Sequence, residues 1–204
     1  MKRIAVLASG RGSNFQAILE AISRGEINGK CVVLLTDNKN AYAIELAKNA
    51  GIPIVVINYH DYPTKSAFET DLLEAMHAAN ADLFVCAGYM RIIGTEIIRE
   101  FAGKIINIHP ALLPSFPGLH AQRNALEYGV KIAGCTVHFV DEGLDSGPII
   151  LQKAVSVLDD DDEKTLDARI LAQEHVVFPK AVALFCADRL VISGRHVKIL
   201  PKRP

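Results

Sequence analysis

A chain of 204 residues, half of them apolar, is long enough for one substantial domain with a well-buried core. Lys and Arg number 22 against 23 Asp and Glu, a balance that argues against nucleic acid and anionic membrane as partners. No apolar run is long enough to span a bilayer, and Met1-Lys2-Arg3 leads straight into a short apolar run, unlike a secretory leader, so a soluble cytoplasmic protein is expected.

Residues 2–8 read as a short buried strand, broken by Ser9-Gly10-Arg11-Gly12-Ser13-Asn14. Phe15, Ile18, Leu19 and Ile22 then recur at helical spacing. A second strand is expected over 31–36, a helix over 41–50 stopped by Gly51, and a third strand over 53–57. After a polar loop, 58–64, come a helix from Lys65 to residue 79, a strand over 82–87, a helix over 94–101 and a strand that begins at Ile105. Continuous Val/Ile/Leu strands alternating with helices predict parallel strands covered on both faces, hence a right-handed, doubly wound, three-layer α/β unit. The later pattern differs: a short helix over 120–128, strands over 131–140 and 148–157 close enough in sequence to be antiparallel, a long helix over 166–185 and a terminal hairpin. No linker or repeat interrupts the chain, so one domain, 1–204, is expected, with a Rossmann-like phosphate-binding half over about 1–110. Cys31, Cys86, Cys135 and Cys186 are widely spaced inside apolar runs and read as buried thiols rather than a zinc site or disulfides.

Chemistry concentrates where strands end. The Gly10-x-Gly12-Ser13-Asn14 turn between a strand and a helix suits an anion, because glycine backbone approaches closely and the helix start carries partial positive charge. The dinucleotide fingerprint needs Gly or Ala where Phe15 stands, so a mononucleotide-like phosphate fits better. The plain alternative is an ordinary turn capped by Ser13 or Asn14. Gly88-Tyr89-Met90-Arg91 follows another strand at the carboxyl edge, where open α/β sheets bind ligands; Met90, Ile92 and Ile93 are equally readable as packing.

In Asn107-Ile108-His109-Pro110 the amide and the imidazole lie two residues apart on one face of a strand, leading into a loop stiffened by Pro110, Pro114 and Pro117. Both side chains are good donors to an oxyanion on a tetrahedral carbon. The plain reading is a histidine that caps a neighbouring loop. Asp145, in Glu142-Gly143-Leu144-Asp145-Ser146-Gly147-Pro148, is either turn chemistry or a carboxylate that reaches His109 and favours its protonated form. The run Asp159-Asp160-Asp161-Asp162-Glu163 reads as a solvated loop and acidic first helical turn rather than a metal site. No G-x-S-x-G or paired nucleophile is visible, so covalent catalysis is not expected.

Asn107-Ile108-His109-Pro110 with Leu112-Leu113-Pro114 and the later Asp145 resembles the signature of folate-dependent formyltransferases. Gly12-Ser13-Asn14 and Gln173-Glu174-His175 make the resemblance strongest for the branch that formylates glycinamide ribonucleotide in purine synthesis. The resemblance runs from residue 1 to about 190. It implies a mostly parallel, seven-stranded sheet with one late antiparallel strand, and a folate-binding and catalytic half over about 84–204. It implies that Gly12, Ser13 and Asn14 hold the ribonucleotide phosphate and that Glu174 meets its glycinamide end. Met90, Arg91, Ile92 and Ile93 would line the folate pocket, chiefly through backbone. Asn107 would contact the formyl group, and Asn107, His109 and Asp145 would carry the transfer from 10-formyltetrahydrofolate without a metal. Lys65 stands where relatives can carry an arginine toward folate, and lysine lacks the bidentate fork. The expected partners are these small molecules, with the protein a monomer or homodimer. The rival readings are a formyltetrahydrofolate hydrolase and a non-catalytic nucleotide-binding module; a nicotinamide oxidoreductase is opposed by Phe15.

Overall fold

The apolar runs become strands buried on both faces: Ile4, Ala5, Val6 and Leu7 are wholly inaccessible to solvent. The computed structural model describes residues 1–202, so the last two positions of the expected domain lie outside it. It is an α/β fold with a mixed, mostly parallel, nine-stranded sheet. The chain divides into two compact units, Met1–Ile106 and the part from Asn107 onward.

The first unit runs β1 (Lys2–Leu7), α1 (Ser13–Ser23), β2 (Gly29–Thr36), α2 (Ala43–Asn49), β3 (Ile54–Val56), α3 (Lys65–Ala79), β4 (Leu83–Cys86) and α4 (Thr95–Glu100). A single 3-10 turn, Tyr59–Asp61, interrupts the polar loop before α3. The strands lie in the order β3-β2-β1-β4, all parallel. Leu7 pairs with Leu35 on one side and Cys86 on the other, so the segments that follow β1, β2 and β4 emerge at one carboxyl edge. The bonds Ala8 N–H to Leu35 O (3.1 Å) and Ser9 N–H to Gly88 O (3.1 Å) extend that alignment past the strand ends. α3 matches its expected span because both ends are coded locally. The Thr64 side chain accepts from Ala67 N–H, and Asn80 closes the helix at φ 45°.

β5 (Ile105–His109) carries the chain into the second unit. There follow α5 (Ala121–Tyr128), β6 (Ile132–Phe139), β7 (Ile149–Ser156), α6 (Glu163–Cys186), β8 (Leu190–Ser193) and β9 (His196–Ile199). β6 and β7 are antiparallel, as their short connection requires, with an irregularity between Val137 and His138. A Cβ on Gly147 would overlap the Phe139 carbonyl, so glycine is what lets the turn close. The strand count exceeds the expected seven because the terminal hairpin joins the sheet, β9 pairing with β7 at Ile149↔His196. α6 begins three residues earlier than its apolar spacing indicates. Asp162 accepts from Thr165 N–H at 2.7 Å while the Thr165 hydroxyl accepts from Asp162 N–H at 3.0 Å, a capping box. Among the described residues, no helix is long and apolar enough to cross a membrane.

Candidate active site

In the first unit the glycine turn is built as an open helix start. Gly12 is the N-cap of α1, at φ 73°, and no side chain caps it. The alternative in which Ser13 or Asn14 caps the helix is therefore overturned: Ser13 and Asn14 are the first two helical residues. A helix start without a side-chain cap leaves its first-turn donors for a ligand or water. Glycine is needed twice over at position 12. The backbone is left-handed, and a Cβ would come within 2.9 Å of the Ala43 Cβ. The turn is tied down by Ala43 N–H donating to Gly10 O at 3.1 Å.

The segment between β4 and α4 has no regular structure. Met90 and Ile92 are 64% and 69% exposed, whereas Ile93 is buried. Met90 N–H donates to Ser9 Oγ at 2.9 Å, and the Arg91 Nε–H donates to Asp37 Oδ2 at 2.8 Å. The Tyr89 phenol is pushed up, first by burial and then by the charge of Asp37. Lys65 opens α3 with its ammonium half-exposed and 3.3 Å from Glu69 Oε1, so its charge is shared within the helix.

In the second unit Asn107 and His109 project from alternate positions of β5, and His109 is only 4% exposed. His109 Nε2 lies 2.7 Å from Phe116 O, and Nδ1 lies 3.3 Å from Asp145 Oδ2. Both ring nitrogens thus face oxygens that can only accept, an arrangement the doubly protonated ring satisfies. Asp145 also accepts from Gly118 N–H at 2.8 Å. Burial works to raise the Asp145 pKa but is outweighed by the nearby His138 imidazole, the Gly118 N–H and the His109 imidazole, so the carboxyl sits below its ordinary value. Its turn is braced by Asp141, whose Oδ1 accepts from Gly143 N–H (3.2 Å) and Ser146 Oγ (2.6 Å).

His138 is the member of this cluster that motif reading passed over. Its Nδ1–H donates to Phe139 O at 2.9 Å, and its Nε2 lies 3.4 Å from Asn107 Nδ2 and 3.7 Å from Asp145 Oδ1. In the neutral ring Nε2 accepts from the Asn107 amide; a protonated ring would instead serve Asp145. The available signal was its place on β6, two residues from Thr136 on the same face. Thr136 shapes the proline loop. Its hydroxyl donates to Ala111 O (2.7 Å) and accepts from Leu113 N–H (3.0 Å) and Gln152 Nε2 (3.0 Å), while Gln152 Nε2 also donates to Leu113 O (2.9 Å). The Leu113–Pro114 bond is cis.

Glu174 is buried in α6, and its charge joins burial in pushing the Cys135 thiol up to about 12. The acidic run has structural partners: Asp159 pairs with Lys131 (2.7 Å), Asp161 binds the Arg169 guanidinium through both oxygens (2.6 and 2.8 Å), and Asp162 caps α6. Among the described residues no group of three or more His, Cys, Asp or Glu side chains is placed to hold a metal ion.

Residues 2–182 match the family model described as formyl transferase. The chain is 45% identical over 203 residues to the trifunctional purine biosynthetic protein adenosine-3 of Drosophila pseudoobscura pseudoobscura; this covers 98% of the chain and 15% of that protein's length. It is 43% identical to the phosphoribosylglycinamide formyltransferase of Bacillus subtilis (strain 168), covering 89% of the chain and 93% of the relative. The crystal structure of glycinamide ribonucleotide transformylase 1 from Symbiobacterium toebii superposes with a TM-score of 0.96 at 50% identity, covering 98% of this chain and 95% of that one.

Proposed function

We propose, for a chain that belongs to the formyl transferase family and within it to the phosphoribosylglycinamide formyltransferases, that it transfers a formyl group from 10-formyltetrahydrofolate to the amine of glycinamide ribonucleotide in de novo purine biosynthesis. The amine attacks the formyl carbon directly and a tetrahedral intermediate forms. Asn107 and protonated His109 donate to its oxyanion. Asp145 holds the imidazolium and, with water, moves the proton from the attacking amine to the departing folate nitrogen. Preorganised donors of this kind need no rearrangement as charge develops, which is why their positions matter more than their number. His138 orients Asn107 through the amide contact.

Gly12, Ser13 and Asn14 hold the ribonucleotide phosphate at the start of α1, and Glu174 meets the glycinamide end. Met90, Arg91, Ile92 and Ile93 line the folate site, where the exposed Met90 and Ile92 side chains await apolar cover; Lys65 faces the folate carboxylates. Residues 1–204 work as one formyltransferase domain, a cytoplasmic monomer or homodimer. The observation that carries this reading is the placement of His109 between Phe116 O and Asp145 with the Asn107 amide two residues away on the same strand.

The test is formyl transfer followed by folate absorbance, with and without glycinamide ribonucleotide. Turnover should require the ribonucleotide, and Asn107→Ala should lose on the order of 10²–10³ in kcat while still binding it. Folate turnover that persists undiminished without the ribonucleotide would mean a hydrolase instead. Ribonucleotide binding without any turnover would mean a non-catalytic module.

A further inference from the structure

The segment 87–94 has no repeating backbone hydrogen bonds, yet it must present a fixed edge if it is to bind a flat ligand. Its shape comes from tethers to the ends of β1 and β2. Gly88 O accepts from Ser9 N–H, Met90 N–H donates to Ser9 Oγ, and Arg91 reaches Asp37. Ser9 is itself gripped, its carbonyl accepting from Asn38 Nδ2 at 3.0 Å.

The Arg91 tether is the strongest of these. Asp37 is 4% exposed, at the residue that follows β2, and its Oδ2 lies 2.8 Å from Arg91 Nε. The same guanidinium lies over the Tyr59 ring, with its central carbon 4.0 Å from the ring centroid. Tyr59 is in turn wedged by Phe68 of α3, their rings 5.2 Å apart at 70°. Arg91 is therefore clamped between a buried carboxylate and an aromatic face. Met90 and Ile92 on either side of it point outward.

We infer that Asp37 and Tyr59 are positioning residues for the folate co-substrate: by clamping the Arg91 guanidinium they set the backbone of 88–93 against which the pterin is read. This rests on the proposed function and extends it to two residues that no motif marks. Neither needs to touch substrate. The charge of Arg91 is spent inside the protein, so its contribution to folate is shape rather than salt-bridge attraction. One Nε–H bond to Asp37 and a charged group centred over the Tyr59 ring together use two parts of one guanidinium, an arrangement the compact lysine ammonium does not reproduce.

The test uses the full chain carrying Asp37→Ala, Tyr59→Leu, Tyr59→Phe and the double variant Asp37→Ala/Tyr59→Leu. The readouts are kcat, the KM for each substrate, and equilibrium binding of 10-formyltetrahydrofolate. Asp37→Ala should raise the folate KM about tenfold, the low end for one charge-assisted bond, and Tyr59→Leu about fivefold, the scale of a partly exposed cation–π contact. The ribonucleotide KM and kcat should stay within about twofold of wild type, the signature of lost uniform binding to one substrate. Tyr59→Phe keeps the ring face and should behave as wild type. The double variant should be less than additive, because both changes act through Arg91. A folate KM unchanged in Asp37→Ala and Tyr59→Leu overturns the inference, as does a parallel change in both KM values and kcat, or a Tyr59→Phe as impaired as Tyr59→Leu. If Asp37→Ala fails to fold, the two Tyr59 variants decide the matter alone. A wild-type protein that binds folate but forms no formylated ribonucleotide overturns the proposed function instead, and the clamp is then judged on folate binding.

Discussion

Replacing Asp145 by Asn removes one negative charge with almost no change in shape. The Asn carbonyl can still accept from Gly118 N–H, now at 2.8 Å, so the turn keeps its anchor. What disappears is the charge 3.3 Å from His109 Nδ1. At that separation the attraction between carboxylate and imidazolium is about 1.3 kcal/mol with the dielectric constant of water and about 5 kcal/mol at an effective value near 20. The site is largely buried, so the loss lies between these bounds. A fall in kcat on the order of 10²–10³, roughly 3–4 kcal/mol, sits inside the window. The assay is folate absorbance at saturating glycinamide ribonucleotide, with both KM values measured and thermal unfolding run in parallel. The KM for the ribonucleotide should change little, and the variant should still unfold in one cooperative transition well above the assay temperature, its midpoint lowered by the lost carboxylate stabilisation. A variant retaining more than about a tenth of wild-type kcat would refute the argument, since that loss is what fully hydrated charges would produce.

Three further outcomes follow from the geometry. Gly12→Ala should raise the ribonucleotide KM and lower the melting temperature together, because the new Cβ meets Ala43 at a left-handed backbone position; unchanged steady-state kinetics would remove Gly12 from the binding turn. Thr136→Val should cost about 1–3 kcal/mol in urea unfolding, since it strips the buried Leu113 N–H of its acceptor, and should reduce kcat by loosening the proline loop. A neutral effect on stability would show that loop shape does not depend on this hydroxyl. The lowered pKa of Asp145 makes its stabilisation present in full above the unfolded value, about 3.9, and lost as pH falls through the lower folded value. The stability gap between wild type and Asp145→Asn should therefore close on acidification from pH 7 toward pH 3, as read from urea midpoints; a gap that widens on acidification would contradict the assignment.

The sequence by itself determined the alternation of strands and helices, the parallel first half and the antiparallel β6–β7 pair, and it put Asn107 and His109 on one face of a strand; Asp145 joined them only through the family resemblance. These follow from interactions within one element or between adjacent ones. Burial on both faces requires continuous apolar strands, period two puts Asn107 and His109 on one face, and Thr64 and Asn80 encode the ends of α3. The tertiary structure decided what depends on residues distant in the chain. That β9 would pair with β7 follows from backbone donors at a sheet edge, not from any pattern in 190–199. No motif marks His138; β6 brings it to 3.4 Å from Asn107, 31 positions away. Asp37 and Arg91, 54 positions apart, met only because parallel pairing aligned the ends of β2 and β4 around β1. Local patterning tells each segment which face to bury; only the register between segments tells a polar side chain what it will face.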